Sequence, residues 1–238
     1  MSRKYEYVKW EEARPIKMEL NRINQRMYSY INSNHPELSF EAKVIGSGKR
    51  GLNTREINGN KGFDFDFNLI IDAPPQGQIW VADRVKQIFM DAADYAVKGT
   101  KYSHPKDSTR AITIKVIDKK NSKIVHSCDY AIIYYDEDGG YYYLHNDKTG
   151  GKHNYSFNKR DLKYPIEEME RYIQNNAGRF STTGKDWIEE EYLKVKNSDN
   201  QDKDSHILYV EALYNIVNHI QQCDADDEED EYYDDDDE

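Results

Sequence analysis

The chain has 238 residues, of which 37% are hydrophobic and 13% aromatic, so it is long enough to bury a sizeable core and is not disordered throughout. Its formal net charge is -11, but residues 224–238 alone hold 12 Asp and Glu residues and no Lys or Arg. The rest of the chain is therefore close to neutral, and its charge does not exclude a nucleic-acid partner.

The N-terminal elements are a helix, a strand and a loop. Apolar residues recur at steps of three and four over 9–33, which predicts an amphipathic helix. Residues 40–45 form a short strand candidate, and the Gly- and Asn-rich stretch 46–62 is typical of a loop between strands.

A strict alternation follows over 63–71, where every second residue is Phe, Leu or Ile. This period of two predicts a strand that buries one face. Asp64 and Asp66 fall between the buried positions, so both carboxylates are expected on the other face.

The remaining pattern divides the chain into a mixed α and β part and a helical part. The predicted elements are a helix over 80–98, strands over 111–117, 123–135 and 141–144, and helices over 166–175, 185–196 and 205–222. We expect an α/β (α+β) core with a mixed β-sheet flanked by helices, then a helical subdomain. The predicted boundaries are 1–160 for the core, 161–223 for the helical subdomain and 224–238 for an acidic, disordered tail.

The paired aspartates have a chemical interpretation. Two like charges two residues apart on one strand face raise each other's pKa, and a divalent cation between them relieves that repulsion. Carboxylates held in this way bind Mg²⁺ or Mn²⁺ in phosphoryl transfer. On its own, an Asp-x-Asp strand is equally typical of a solvated face.

Gly46 and Ser47 end a strand and begin the loop before the aspartates. Glycine allows the backbone to approach a phosphate, and a serine hydroxyl with adjacent amides binds phosphate oxygens. We therefore predict a cradle for the triphosphate of a nucleoside triphosphate here.

The order IGS, then FDFDF, then HSCDYAII resembles the polymerase beta-like nucleotidyltransferase superfamily. The long segment between Gly-Ser and Asp-x-Asp, and the strand TRAITIKV, are most similar to the cyclic GMP-AMP synthase and oligoadenylate synthase branch. Gly48 departs from the bulkier residue that often follows the serine.

The resemblance implies further site residues and an activity. Asp129 would be the third carboxylate and would help to deprotonate or orient the acceptor hydroxyl. Lys194 or Lys196, with Ser205, would hold the outer phosphates of the donor in a cleft beside the core. The implied reaction transfers a nucleoside monophosphate from a nucleoside triphosphate to a hydroxyl, with release of pyrophosphate.

Several acceptors and roles remain open at this point. We expect synthesis of a nucleotide second messenger or oligonucleotide of the bacterial antiviral defence type. The alternatives are a toxin-like transferase that adds nucleotides to transfer RNA, and a non-catalytic binding protein that acts through its acidic tail. RNA would then be an acceptor or activator, and the tail would contact a basic partner.

Cysteine content and hydropathy indicate the compartment. Cys128 and Cys223 lie far apart without a CxxC or Cys/His ligand spacing, so neither a disulfide framework nor a zinc site is predicted. No run approaches the roughly 18 apolar residues of a membrane span, and no export signal begins the chain. We expect a cytoplasmic protein without a membrane partner.

Overall fold

The computed structural model describes residues 3–160, 164–198 and 203–233, with side chains up to residue 225. These residues form two compact units, one of residues 7–160 and one of residues 3–6 together with the residues from 164 onward. Among the described residues, no helix is both long enough and apolar enough to span a membrane.

The first unit carries the sheet, and the second carries three helices. The elements from the N-terminus to the end of the sheet are β1 (Tyr5–Tyr7), α1 (Trp10–Asn34), β2 (Phe40–Ile45), α2 (Gly46–Arg50), β3 (Thr54–Glu56), β4 (Lys61–Ile71), α3 (Ala82–Val97), β5 (Lys106–Asp107), β6 (Ile112–Asp118), β7 (Lys123–Tyr135), β8 (Tyr141–Asp147) and β9 (Asn154–Arg160). The helices of the second unit are α4 (Ile166–Asn176), α5 (Gly184–Lys196) and α6 (Ser205–Tyr233).

The main sheet has seven strands in the order β2-β4-β7-β6-β5, with β8 paired to β7 and β9 paired to β8. The central strands β4 and β7 are parallel, and the other pairs in this sheet are antiparallel. The sheet is therefore mixed, as the sequence predicted, and a parallel pair lies at its centre.

The core forms on one face of this sheet. Helices α1 and α3 present apolar stripes that include Leu20, Met27 and Phe89, and these pack against strand residues such as Phe65 and Tyr130. All five side chains are at most 1% exposed. The alternation of each strand leaves its intervening residues on the opposite face, where Asp64 and Asp66 lie.

A buried ion pair links α3 to the sheet. The Nζ of Lys86 lies 2.6 Å from Oδ1 of Asp107 on β5, and the Lys86 side chain is only 4% exposed. The other carboxylate oxygen of Asp107 accepts hydrogen bonds from Tyr155 at 2.7 Å and from Asn146 at 2.5 Å. Such a network compensates part of the cost of removing both charges from water.

Some elements differ from the sequence prediction. Residues 46–62, expected to be a loop, contain the short helix α2 and the strand β3. Strands β5 and β9 were not predicted, since β5 has two residues and β9 lies at the sheet edge with little apolar alternation. Helix α6 continues to Tyr233, beyond the end near 222 that the sequence predicted, and residues 234–238 of the predicted disordered tail lie outside the described residues.

Candidate active site

Two carboxylates of the site lie on β4. The burial of β4 alternates, with Phe63, Phe65 and Phe67 at most 2% exposed, whereas Asp64 is exposed and Asp66 is half-buried. Because side chains at positions i and i+2 of a strand share a face, both aspartates lie on the face opposite the core.

The parallel pairing of β4 and β7 places the third aspartate beside them. Asp66 is in register with Asp129, and Asp64 is in register with Ser127. Adjacent strands are about 4.8 Å apart, and paired residues project to the same side. The three aspartates that sequence reasoning selected therefore share one patch of the sheet.

Hydroxyl groups hold two of the carboxylates. Ser127 donates a hydrogen bond to Oδ1 of Asp64, and Thr113 on β6 donates one to Oδ1 of Asp129. Asn53, which is 4% exposed, donates to the backbone oxygen of Asp64 at 2.6 Å. These bonds orient the carboxylates and leave their other oxygens available to a ligand.

The environment of the carboxylates disfavours their charged forms. Burial, with the charges of Asp129 and Asp64, raises the pKa of Asp66 from 3.8 to about 6. Burial also raises the pKa of Asp129, and the charge of Asp64 adds to this, while the Thr113 hydrogen bond and the charge of Lys115 lower it. A divalent cation would relieve this repulsion.

The donor set therefore suits Mg²⁺, which prefers carboxylate oxygens. In the part of the chain that the structure describes, no group of three or more His, Cys, Asp or Glu side chains is arranged as a ready-made metal site. Mg²⁺ suits these residues because they offer carboxylate oxygens and because the charges of Asp64 and Asp129 repel that of Asp66.

The predicted phosphate loop begins beside Asp66. Ile45, the last residue of β2, is in register with Asp66. Gly46 then turns with φ +58°, and a Cβ on it would lie 3.4 Å from Oδ2 of Asp66. Ser47 is half-buried in the first turn of α2. The backbone of Gly46 thus lies directly beside the carboxylate of Asp66.

The surroundings of Gly48 give a reason for a glycine at the position where the nucleotidyltransferase superfamily often has a bulkier residue. Gly48 is the buried residue of α2, and a Cβ on it would lie 2.9 Å from Cδ1 of Phe65 and 3.1 Å from Cγ2 of Val44. This small residue allows α2 to lie directly on the strands that carry the site.

The remaining predicted residues belong to the helical unit. Lys196 is 8% exposed, and its Nζ donates to Oγ of Ser205 at 3.0 Å. The ammonium also lies 5.0 Å from the ring centre of Tyr5. Lys194 instead lies at the surface in a salt bridge of 2.9 Å with Glu191. The structure brings Lys196 and Ser205 together and places Lys194 elsewhere.

Sequence reasoning missed Ser127, Thr113 and Asn53. The signal for Ser127 was present, since it precedes Asp129 by two residues as Asp64 precedes Asp66. Thr113 could be found only from the pairing of β6 with β7. Asn53 acts from a loop, for which the sequence offers no periodic signal.

Comparison with known proteins identifies the fold. No protein-family model matches the sequence, and a search of curated proteins gave no significant match. Among solved structures, the chain is similar to the cyclic AMP-GMP synthase DncV of Vibrio cholerae in complex with the linear intermediate 5′ pppA(3′,5′)pG, with TM-score 0.54 and 10% identity. That match covers 88% of this chain and 68% of the other.

A second similar structure is the CD-NTase CdnG of Bradyrhizobium diazoefficiens in complex with GTP, with TM-score 0.51 and 12% identity. That match covers 87% of this chain and 66% of CdnG. A DncV mutant in complex with ATP, GTP and 5MTHFGLU2 matches with TM-score 0.51 and is covered over 62% of its length, so the chain spans about two thirds of the length of these proteins. The chain therefore has the fold shared by DncV and CdnG.

Proposed function

We propose that this chain is a metal-dependent nucleotidyltransferase that moves a nucleoside monophosphate from a nucleoside triphosphate to a hydroxyl acceptor. The observation that carries the proposal is the register of Asp66 with Asp129 on parallel strands, with the backbone of Gly46 directly beside Asp66. Carboxylates grouped next to a glycine turn suit a triphosphate and its divalent cation.

The residues have separate roles in this proposal. Gly46 and Ser47 bind phosphate oxygens of the donor through backbone amides and a hydroxyl. Asp64 and Asp66 would hold Mg²⁺ or Mn²⁺, with Asp129 completing the set. When bound, the metal supplies positive charge that stabilises the transferred phosphoryl group and the leaving pyrophosphate.

The acceptor oxygen forms a bond to the α-phosphorus, and the bond from that phosphorus to the oxygen bridging to the β-phosphate breaks. Pyrophosphate leaves with the electron pair, and the hydroxyl proton passes towards Asp129.

Lys196 and Ser205 are the better candidates for additional phosphate ligands. Their hydrogen bond of 3.0 Å places a buried cation beside a hydroxyl in the first turn of α6. Free backbone amides and the helix dipole attract anions at such a position. Lys194 is not part of this proposal, because its ammonium group pairs with Glu191.

For the acceptor, we propose synthesis of a nucleotide second messenger or oligonucleotide of bacterial defence type. The support is the fold likeness to a cyclic AMP-GMP synthase together with the presence of all three aspartates on one face. A protein that only binds partners has no need for three carboxylates on one face, where burial and the charges of Asp129 and Asp64 raise the pKa of Asp66.

The test is turnover of each labelled nucleoside triphosphate with Mg²⁺ or Mn²⁺, with and without bulk transfer RNA. We expect pyrophosphate release and a small labelled product, both lost in the double variant Asp64→Asn, Asp66→Asn. The matched control is Glu137→Gln, Asp138→Asn, which removes two charges from an exposed turn. Label on transfer RNA would favour a tRNA-modifying transferase, and activity that survives the aspartate variant would exclude this site.

A further inference from the structure

A cavity of about 540 Å³ opens between α5 and α6 of the helical unit. Helix α5 lines it with Trp187, Glu190, Glu191 and Lys194, and their spacing by three and four residues places them on one face of the helix. The described lining residues all belong to α5 or α6. A cavity of this volume accommodates a small organic molecule.

Carboxylates outnumber ammonium groups on the α5 wall of the cavity. Oε2 of Glu191 accepts a hydrogen bond from Nζ of Lys194 at 2.9 Å, and its Oε1 accepts one from Nδ2 of Asn215 on α6 at 2.8 Å. The hydrogen bond and charge of Glu191, with a smaller contribution from the charge of Glu190, raise the pKa of Lys194. Two carboxylates thus act on one ammonium group, which leaves one excess negative charge on this wall.

The end of the cavity away from Lys194 is aromatic. Trp187 lies seven residues before Lys194, about 10 Å away along the helix axis. Its ring centre is 5.8 Å from that of His219 on α6, at an interplanar angle of 83°. Ile216, which is 2% exposed, adds an apolar side chain to the lining. An indole face attracts ammonium groups, and the neighbouring apolar surface packs against methylene groups.

The part of α6 beyond the cavity adds negative charge. Residues 224–231 hold seven Asp and Glu residues and no Lys or Arg, and α6 continues through them. Asp224, the first of them, is paired with Arg179 at 2.5 Å. A run of one charge beside a cavity raises the local concentration of ligands of the opposite charge. The cavity therefore favours a cation over an anion.

The lining favours an organic cation over a metal ion. Both carboxylate oxygens of Glu191 already accept hydrogen bonds, so among the described lining residues only Glu190 offers a carboxylate to a metal ion, which needs several oxygen ligands. The aromatic and aliphatic side chains offer carbon surface that a metal ion does not use. Asn218 and Gln222 add amide oxygens, which accept hydrogen bonds from N–H groups. A chain of ammonium groups joined by methylene groups matches each of these features.

We infer that the cavity between α5 and α6 binds a linear polyamine, with an ammonium group at Glu190 and methylene groups against Trp187, His219 and Ile216. None of these residues belongs to the proposed transferase site. The inference therefore does not rest on the proposed function, and each can fail without the other.

Equilibrium dialysis of the full chain with labelled spermidine, at about 0.15 M salt, measures the binding. We expect one saturable class of site, which putrescine fills more weakly and from which equimolar Mg²⁺ does not displace spermidine. Glu190→Lys should raise the Kd at least about tenfold, because it replaces an attractive charge with a repulsive one. Trp187→Leu should raise it about two- to fivefold, and Trp187→Phe by less. Glu167→Lys, in the exposed first turn of α4, is the matched control and should leave the Kd unchanged.

A fluorescence titration locates the site. In a chain with Trp10→Phe and Trp80→Phe, Trp187 is the only tryptophan, and spermidine should change its emission with the Kd that dialysis gives. Replacing the aspartates of residues 226–237 with Asn should change that Kd by less than about twofold, because salt screens charges that lie beyond the cavity.

Several outcomes would overturn the inference. Loss of saturable binding on replacement of the tail aspartates would assign the polyamine to the tail. Emission of Trp187 that does not change at saturation, or a Kd that Glu190→Lys and Glu167→Lys raise equally, would exclude the cavity. Binding of tetralysine in place of spermidine would indicate a protein partner. The absence of saturable spermidine binding by the unmodified protein would also overturn it.

Discussion

Replacing Asp66 with Asn should stabilise the protein at neutral pH when no divalent ion is present. Burial and two neighbouring carboxylates raise the pKa of Asp66 from 3.8 to about 6. The folded state therefore binds a proton more tightly than the unfolded state, and stability falls as pH rises between these values. At about 1.36 kcal/mol per pKa unit, with a discount for partial exposure, the penalty is about 1–3 kcal/mol above pH 6.

The assay is urea unfolding of the unmodified protein and the Asp66→Asn variant at pH 7.5 and pH 4.5, in a Trp187→Phe background. Fluorescence then reports on Trp10 and Trp80, which lie in the same compact unit as Asp66. The variant should be more stable by about 1–3 kcal/mol at pH 7.5 and by about a third as much at pH 4.5.

Added Mg²⁺ or Mn²⁺ should reduce or reverse the stability advantage of the Asp66→Asn variant over the unmodified protein. A cation that binds only the folded state stabilises the unmodified protein and should have little effect on the variant, which lacks one ligand. Asp138→Asn, in an exposed turn, is the control and should show no pH-dependent gain. A stability difference that is absent, or that is equal at both pH values, would refute the reasoning about Asp66.

Three other predictions concern packing, the buried ion pair and pH. Gly48→Val should lower the free energy of unfolding by about 1–3 kcal/mol, measured by urea titration, because a Cβ there lies 2.9 Å from an aromatic ring; an unchanged midpoint would contradict the close packing of α2. Lys86→Met should lower the free energy of unfolding by about 3–5 kcal/mol, because it leaves Asp107 buried without its cation. The double variant Lys86→Met, Asp107→Leu should lower it by less, and a double-mutant cycle measures the difference. Thr113→Val should raise the pKa of Asp129 by removing a hydrogen bond to the carboxylate, so the acid limb of the rate profile should shift to higher pH, and an unshifted limb would argue against Asp129 as proton acceptor.

The predictability of the site depends on how local each signal is. The alternation around Asp64 and Asp66 predicted both the strand and the shared face, since it is set by neighbouring residues alone. The position of Asp129 beside Asp66 needs the parallel register of two strands far apart in sequence, and only a family resemblance suggested it. A lysine in an amphipathic helix is expected on the solvent-exposed face, so the burial of Lys86 against Asp107 could not be predicted from the sequence.

The edges of the fold were also less predictable than its centre. Strand β9 pairs with one neighbour, so its residues need not alternate between buried and exposed as those of β4 do. The sequence could not distinguish Lys194 from Lys196, because both lie in the last turn of one helix. Only the structure shows which of them contacts Ser205.

The parallel pairing of β4 with β7 has a consequence for how the protein folds. Strand neighbours such as Asp64 and Ser127 are 63 residues apart in sequence, so the entropy of closing that long connection must be overcome before they meet. An early intermediate with only local helices and hairpins would have no complete carboxylate set. The appearance of divalent-ion binding during refolding should therefore mark the formation of the central strand pair.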